Sequence, residues 1–118
     1  GKITYNESYI RIAKNMVSIF IEDIIKNGSF FSNWAILLAD LVDEPFEICI
    51  VGNEAINFNH TLQQYNLPNA LFAGASQYST LPFLEDKLGN PDETLIFICK
   101  NKACFAPTNN LEEAIKII

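Results

Sequence analysis

The chain has 118 residues, about half of them hydrophobic, which fits one domain of ordinary size with a buried core. Its formal net charge is −6, with 14 acidic against 8 basic residues and no lysine or arginine cluster, so it offers no basic surface to nucleic acid or to an anionic membrane. The longest early apolar stretch, residues 16–25, contains Ser18, Glu22 and Asp23, and it is too short and too polar to span a bilayer. No signal peptide is visible.

The first predicted element is a helix from about Asn6 to Lys26. Thr4 and Glu7 have capping-box spacing before it, and Asn27-Gly28 predicts a left-handed cap after it. Polar residues recur every three to four positions and form one narrow stripe: Arg11, Asn15, Ser18, Glu22 and Lys26. A helix with so narrow a polar stripe is expected to be buried on most of its sides.

A second helix is predicted from Phe31 to Val42, with Ser29 as its cap and Pro45 beyond its end. Trp34 belongs to its apolar face, where core packing is favoured over a sugar-binding role. The short connection between the two helices predicts an antiparallel αα-hairpin.

From Pro45 onward the pattern changes to apolar strands that alternate with helices. Phe46–Val51, Asn69–Ala75 and Thr94–Cys99 are short apolar runs that predict strands. The predicted helices are Glu54–Tyr65, Leu81–Leu88 and Leu111–Ile118, the last with Asn109 and Glu112 in capping-box spacing. This alternation predicts the α/β class: a helical hairpin over residues 1–45, then a βαβαβα module over residues 46–118. In that module we expect a small three-stranded parallel sheet with flanking helices, in a Rossmann-like three-layer arrangement.

The segment after the third strand carries a distinctive pattern, Cys99-x-Asn101-x-x-Cys104-x-x-Pro107, followed by the acidic helix start 111–113. Three further blocks accompany it: Ser32–Ala35, Pro45–Gly52 and Leu81–Glu85. Together they resemble the C-terminal region of the YyaL-like family, the thioredoxin-domain-containing proteins related to the spermatogenesis-associated protein of animals.

The resemblance implies a larger parent with a thioredoxin-like domain and a toroid of helical hairpins similar to that of N-acylglucosamine 2-epimerases. Gly1 in place of a methionine also suggests an excised piece. This chain would be the last hairpin of the toroid and a C-terminal α/β appendage, with the toroid and the thioredoxin-like domain as its partners. We therefore expect a non-catalytic structural and interaction module that needs no cofactor. In isolation we expect it to self-associate, because the hairpin has more apolar surface than one small sheet covers.

Cys99 and Cys104 are the strongest candidates for chemistry. Structural thiols on either side of a turn are favoured, a reversible disulfide is the next reading, and a metal site would need two further ligands where only Cys49 and His60 remain. The alternative function is accordingly a small redox or ligand-binding α/β module that uses these two thiols. The low cysteine content nonetheless favours a cytoplasmic protein with mostly reduced thiols.

The environment of the two thiols can be anticipated in part. Cys99 ends an apolar strand, and burial disfavours a thiolate, whereas Lys100 and Lys102 would favour it unless both lysines point to solvent. Asn101 tolerates the left-handed conformation that a turn requires, and Pro107 fixes the exit of that turn.

The remaining candidates are interpreted as structural. Gly52 follows a strand and precedes a helix, but without a second glycine it predicts a simple βα turn and not a phosphate site. His60 is expected on a solvent-facing helix surface. The adjacent carboxylates at 85–86 and 112–113 are expected to be solvated charges at helix starts.

Overall fold

The computed structural model describes residues 1–89, 92–101 and 103–118. The chain divides into two compact units, Gly1–Glu44 and Pro45–Ile118. In the described ranges, no helix is both long enough and apolar enough to cross a membrane.

The first unit is the predicted helical hairpin, with α1 at Glu7–Asn27 and α2 at Ser32–Val42. The ring of Phe20 lies 4.5 Å from that of Trp34 and 6.0 Å from that of Phe31, so aromatic side chains form the contact between the helices. Lys2, before α1, donates to the backbone carbonyl of Asp40, near the end of α2. This contact means that the two helices run antiparallel.

The helix ends differ from those predicted. Asn6 caps α1, because its side-chain oxygen accepts hydrogen bonds from the next amides, so the predicted Thr4–Glu7 capping box is wrong. Gly28 is right-handed, with φ −52° and ψ −32°, so the left-handed cap is wrong too. Helix-like turns instead continue into the connection, where the Phe30 amide bonds to the Asn27 carbonyl at 2.9 Å. Ser29 does not cap α2, which starts without a side-chain cap.

The second unit is an α/β unit built on one four-stranded sheet. Its elements are β1 (Phe46–Val51), α3 (Ala55–Gln63), β2 (Ala70–Ala75), a 3₁₀ turn (Pro82–Leu84), β3 (Leu95–Lys100), β4 (Ala103–Cys104) and α4 (Leu111–Ile117). The strand order is β2-β1-β3-β4. Only β1 and β2 are parallel, whereas β3 is antiparallel to both β1 and β4.

The α/β class is therefore confirmed, and the three-stranded parallel, Rossmann-like sheet is not. A third parallel strand would need a crossover connection back to the opposite end of the sheet, usually a helix. The segment predicted as the helix Leu81–Leu88 forms only the short 3₁₀ turn. The chain consequently stays at the end of the sheet where β2 finishes, and β3 enters there and runs in the opposite direction.

The two faces of the sheet have different cores. One face packs against α3 and α4 around buried apolar residues: Ile48, Ile50, Ala55, Leu62, Ile96, Ile98 and Ala114. The other face is covered by the 3₁₀ turn around Cys49, Val51, Phe83 and Leu84. β1 contributes alternate residues to both faces, which explains its nearly continuous apolar sequence.

The last helix begins one residue later than its predicted cap implied. The side chain of Asn110 accepts hydrogen bonds from the amides of Glu112 and Glu113, so Asn110 is the cap and the Asn109–Glu112 capping box is wrong. Both carboxylates lie in the first turn of α4, where they suit the helix dipole as predicted.

Candidate functional site

The outer edge of the sheet carries a disulfide bond between Cys99 and Cys104. Cys99 lies in β3 and Cys104 in β4, and the two residues are directly opposed in the antiparallel register. Lys100 pairs with Ala103 in the same way, so only two residues connect the strands. Two cysteines with four residues between them therefore face each other across this hairpin. The structure joins the two thiols in a disulfide, the alternative that the sequence ranked after structural thiols flanking a turn.

The conformation of Asn101 makes this hairpin possible. Its φ of 54° lies in the left-handed region, as predicted, and asparagine tolerates that region better than most residues do. Lys102 lies outside the described residues. The strand β4 was not predicted, because two exposed residues carry no hydrophobic pattern, and the cysteine spacing around a polar centre was the available signal.

Backbone hydrogen bonds hold the edge on the far side of Cys104. The Phe105 amide donates to the Ile98 carbonyl at 2.9 Å. Thr108 then exchanges two hydrogen bonds with Ile96, at 2.8 and 3.1 Å, in an isolated bridge beyond β4. Pro107 stands between these two attachments and is exposed. The disulfide thus lies within a segment whose backbone is also attached to β3 without it.

The two sulfur-bearing residues differ sharply in exposure. Cys99 is buried, with 1% of its surface exposed. Cys104 is exposed, and so are the residues that follow it up to Pro107. A reagent from solvent therefore meets Cys104 first.

Lys100 and Glu47 are charged neighbours of the disulfide. Lys100 does not simply point to solvent, because its Nζ lies 4.7 Å from the centroid of the Phe46 ring and makes a cation–π contact. Glu47 of β1 is paired with Cys99 in the sheet, on the side opposite Cys104. The position of this carboxylate beside Cys99 could not be predicted, because the pairing depends on the antiparallel direction of β3.

Cys49 is the one free cysteine in the described ranges, and it is fully buried. Its thiol donates a hydrogen bond to the Phe83 carbonyl at 3.1 Å. Burial raises the pKa of the Cys49 thiol from 9.0 to about 12, while Lys87 lowers it and Glu47 raises it by smaller amounts. Since the thiolate is the nucleophilic form, Cys49 is inert at neutral pH.

The turn between β1 and α3 is a packed junction. Gly52 has a φ of 139°, which side-chain-bearing residues rarely adopt. A Cβ at this position would lie 2.5 Å from the Cα of Thr94 and 2.7 Å from the Glu93 carbonyl oxygen. The Thr94 hydroxyl also accepts a hydrogen bond from the Glu54 amide at 2.9 Å. Gly52 therefore allows the backbone of the β1–α3 turn to lie close to the backbone of Glu93 and Thr94.

A cleft of about 440 Å³ lies near the carboxyl ends of β1 and β2. It is lined by Val51, Asn53, Ser76, Gln77, Tyr78, Lys87, Leu88 and Gly89. Parallel strands present their carboxyl ends at the edge where ligands commonly bind in α/β proteins. The lining residues of the cleft combine amide, hydroxyl and ammonium side chains with apolar ones.

The other predicted residues are dispersed. His60 is exposed on α3, as expected. Glu85 and Asp86 are exposed but follow the 3₁₀ turn, so their predicted place at a helix start is wrong. In the part of the chain that the structure describes, no three His, Cys, Asp or Glu side chains are grouped as metal ligands would be.

The comparisons with known proteins return no relative. No protein-family model matches the sequence, and neither a curated protein nor a solved structure is significantly similar to it.

Proposed function

We propose that this chain is the C-terminal structural and interaction section of a YyaL-like protein, in which the hairpin packs on further helices of the parent. The observation that carries the proposal is an exposed apolar stripe on α1. A non-catalytic role fits the exposed positions of His60 and of the adjacent carboxylates at 85–86 and 112–113. The Cys-x-Asn-x-x-Cys-x-x-Pro pattern supports the family.

The apolar stripe consists of Tyr9, Ile12, Met16 and Ile19. These residues are spaced by three, four and three positions, so they follow one line along the helix. Between 48% and 74% of the surface of each is exposed. From Tyr9 to Ile19 the helix rises by ten residue steps, or about 15 Å at 1.5 Å per residue.

The stripe suits a helix as its occupant. Its residues follow a single line along the helix, and Asp23 comes next on that line. The neighbouring polar face carries Arg11 and Ser18. This is the pattern of an amphipathic helix that buries one line of side chains against another helix. Burying the exposed part of these four side chains would contribute on the order of 1–2 kcal/mol each before the entropy of ordering is subtracted. A hairpin of the parent's helical array is therefore the partner that we propose.

The test compares charge substitutions on the stripe and on the polar face. In the isolated chain, two copies are expected to cover each other's stripe, so sedimentation equilibrium at high concentration should show self-association. Ile19→Glu should weaken the association at least about tenfold, because it places a charge in an apolar contact. Ser18→Glu, on the neighbouring polar face, is the matched control and should leave it unchanged.

Two results would contradict the proposal. One is a strict monomer at the highest concentrations, with binding to the separately produced helical array also absent. The other is an equal response to Ile19→Glu and Ser18→Glu, which would place the contact outside the stripe. Circular dichroism of each variant separates loss of association from loss of folding.

A further inference from the structure

The two residues of the disulfide are unequally exposed to solvent. Cys104 is exposed and belongs to a two-residue edge strand, whereas Cys99 is 1% exposed and belongs to a strand paired on both sides. Thiol–disulfide exchange requires a thiolate to reach one sulfur and the other sulfur to leave. Access therefore decides the direction of attack: Cys104 is the sulfur that an external thiolate reaches.

Backbone hydrogen bonds around the disulfide can keep the segment after Cys104 attached to β3 when the disulfide is broken. The Phe105–Ile98 hydrogen bond and the two Thr108–Ile96 hydrogen bonds involve no sulfur. Cys99 and Cys104 would remain opposed in the hairpin after the bond breaks. Closely held groups react with a high effective concentration, so the same two sulfurs are placed to close the bond again.

From this arrangement we propose that Cys99–Cys104 is a thiol–disulfide exchange site whose substrate is the thiol of a peptide or a small molecule. The thiolate of the substrate attacks Cys104 Sγ, and the Sγ–Sγ bond breaks. Cys99 leaves with the electron pair of that bond and takes a proton from water. Cys104 then carries the mixed disulfide. Cys99 reverses the step when it loses that proton, attacks Cys104 Sγ and expels the external thiolate.

A second external thiolate completes the reduction of the site. It attacks the external sulfur of the mixed disulfide, which yields the external disulfide and a Cys104 thiolate that takes a proton. Two external thiols are oxidised and the two cysteines are reduced, a transfer of two electrons. The inference is independent of the helix stripe, because all of its residues lie in the α/β unit.

The surface beside Cys104 gives the site a preference. Phe105 is 48% exposed, and Ala103 and Ala106 are exposed on either side of the pair formed by Cys104 and Phe105. A thiol with an apolar group next to it gains contact area there. Glutathione and a short cysteine peptide with a neighbouring leucine therefore serve as the two probes, and their relative rates distinguish a small-molecule source from a polypeptide source.

The first experiment uses the oxidised native chain. Each probe is added at neutral pH, the reaction is quenched with acid, and mass spectrometry locates the adduct. The mixed disulfide is expected on Cys104, at a rate within about a hundredfold of that for an oxidised peptide of residues 97–106. An adduct on Cys99 would overturn the proposal. A reaction more than about a hundredfold slower than that of the peptide, which accelerates in urea only as the chain unfolds, would also overturn the proposal. It would indicate a purely structural disulfide.

The second experiment tests the asymmetry with single variants. Oxidised glutathione should modify Cys104 in Cys99→Ser at least about a hundredfold faster than Cys99 in Cys104→Ser. Cys49→Ser is introduced into both variants as the control that removes the buried thiol, and it should change neither rate. Equal rates in two variants that circular dichroism shows to be folded would sink the assignment. If a variant does not fold, the result with the native chain decides.

Discussion

Cys49 shows how one buried side chain ties the stability of the fold to pH. Its thiol lies among the apolar residues under the 3₁₀ turn and donates to the Phe83 carbonyl. Burial raises its pKa to about 12, so the folded chain keeps this proton where an unfolded chain loses it. The contribution to stability is complete below about pH 8.5 and is lost as pH rises toward 12.

We predict that the free energy of unfolding falls above about pH 9 partly because of Cys49. The unfolded state binds fewer protons in this window, so the slope is negative, at up to about 1.4 kcal/mol per pH unit. Urea unfolding at pH 7, 9 and 10.5 measures it, with Cys49→Ala as the comparison. The variant should be less stable at pH 7 because of the cavity, and the difference should narrow above pH 9. Parallel pH profiles would show that Cys49 does not contribute.

Single residues were the least predictable level of this structure. The left-handed Asn101 was anticipated from its side chain, and it is confirmed. Gly28 was expected to be left-handed from the same kind of local rule, and it is not. The difference lies in the context, because Asn101 has to reverse a two-residue hairpin while Gly28 enters a connection that continues helical turns.

The elements were more predictable than their ends or their directions. β1 was predicted at its observed bounds, because an unbroken apolar run between two turn signals leaves little freedom. The direction of β3 was not predictable from its own residues. It follows from the connection after β2, where a 3₁₀ turn replaces a crossover helix. The pairing that places Cys99 beside Glu47 depends on the direction of β3, so it could not be predicted from the sequence either.

The β1–α3 turn provides the prediction at the level of an element. Gly52→Ala should lower the free energy of unfolding by roughly 3 kcal/mol, because a side chain at φ 139° is strained and its Cβ would meet the Thr94 backbone. Urea denaturation followed by circular dichroism measures the loss. Gly28→Ala is the control, since its φ of −52° accommodates alanine, and it should change stability by less than about 1 kcal/mol. Similar losses in the two variants would contradict this account of the turn.

At the scale of the whole molecule, carboxylates of the α/β unit take part in hydrogen bonds that stabilise the fold. His60 is exposed on α3. Glu113 accepts a hydrogen bond from Thr108 at 2.7 Å, which attaches α4 to the chain before it. Glu93 accepts one from Asn109, also at 2.7 Å. These carboxylates make local contacts that stabilise loops and helix starts.

The final prediction is that the purified chain neither epimerises N-acylglucosamine nor hydrolyses glycosides. Either reaction needs an acid and a base positioned on the same substrate, and proton transfer requires each to lie within hydrogen-bond reach of it. His60 is exposed on α3, and the adjacent carboxylates at 85–86 and 112–113 are exposed as well. The cleft that Glu54, Asp92 and Glu93 line does not include the histidine. Proton exchange at the sugar C2 position in deuterated water, followed by nuclear magnetic resonance, would detect even slow epimerisation. His60→Gln is the matched variant: turnover that the native chain shows and this variant lacks would establish a catalytic histidine and refute a purely structural role.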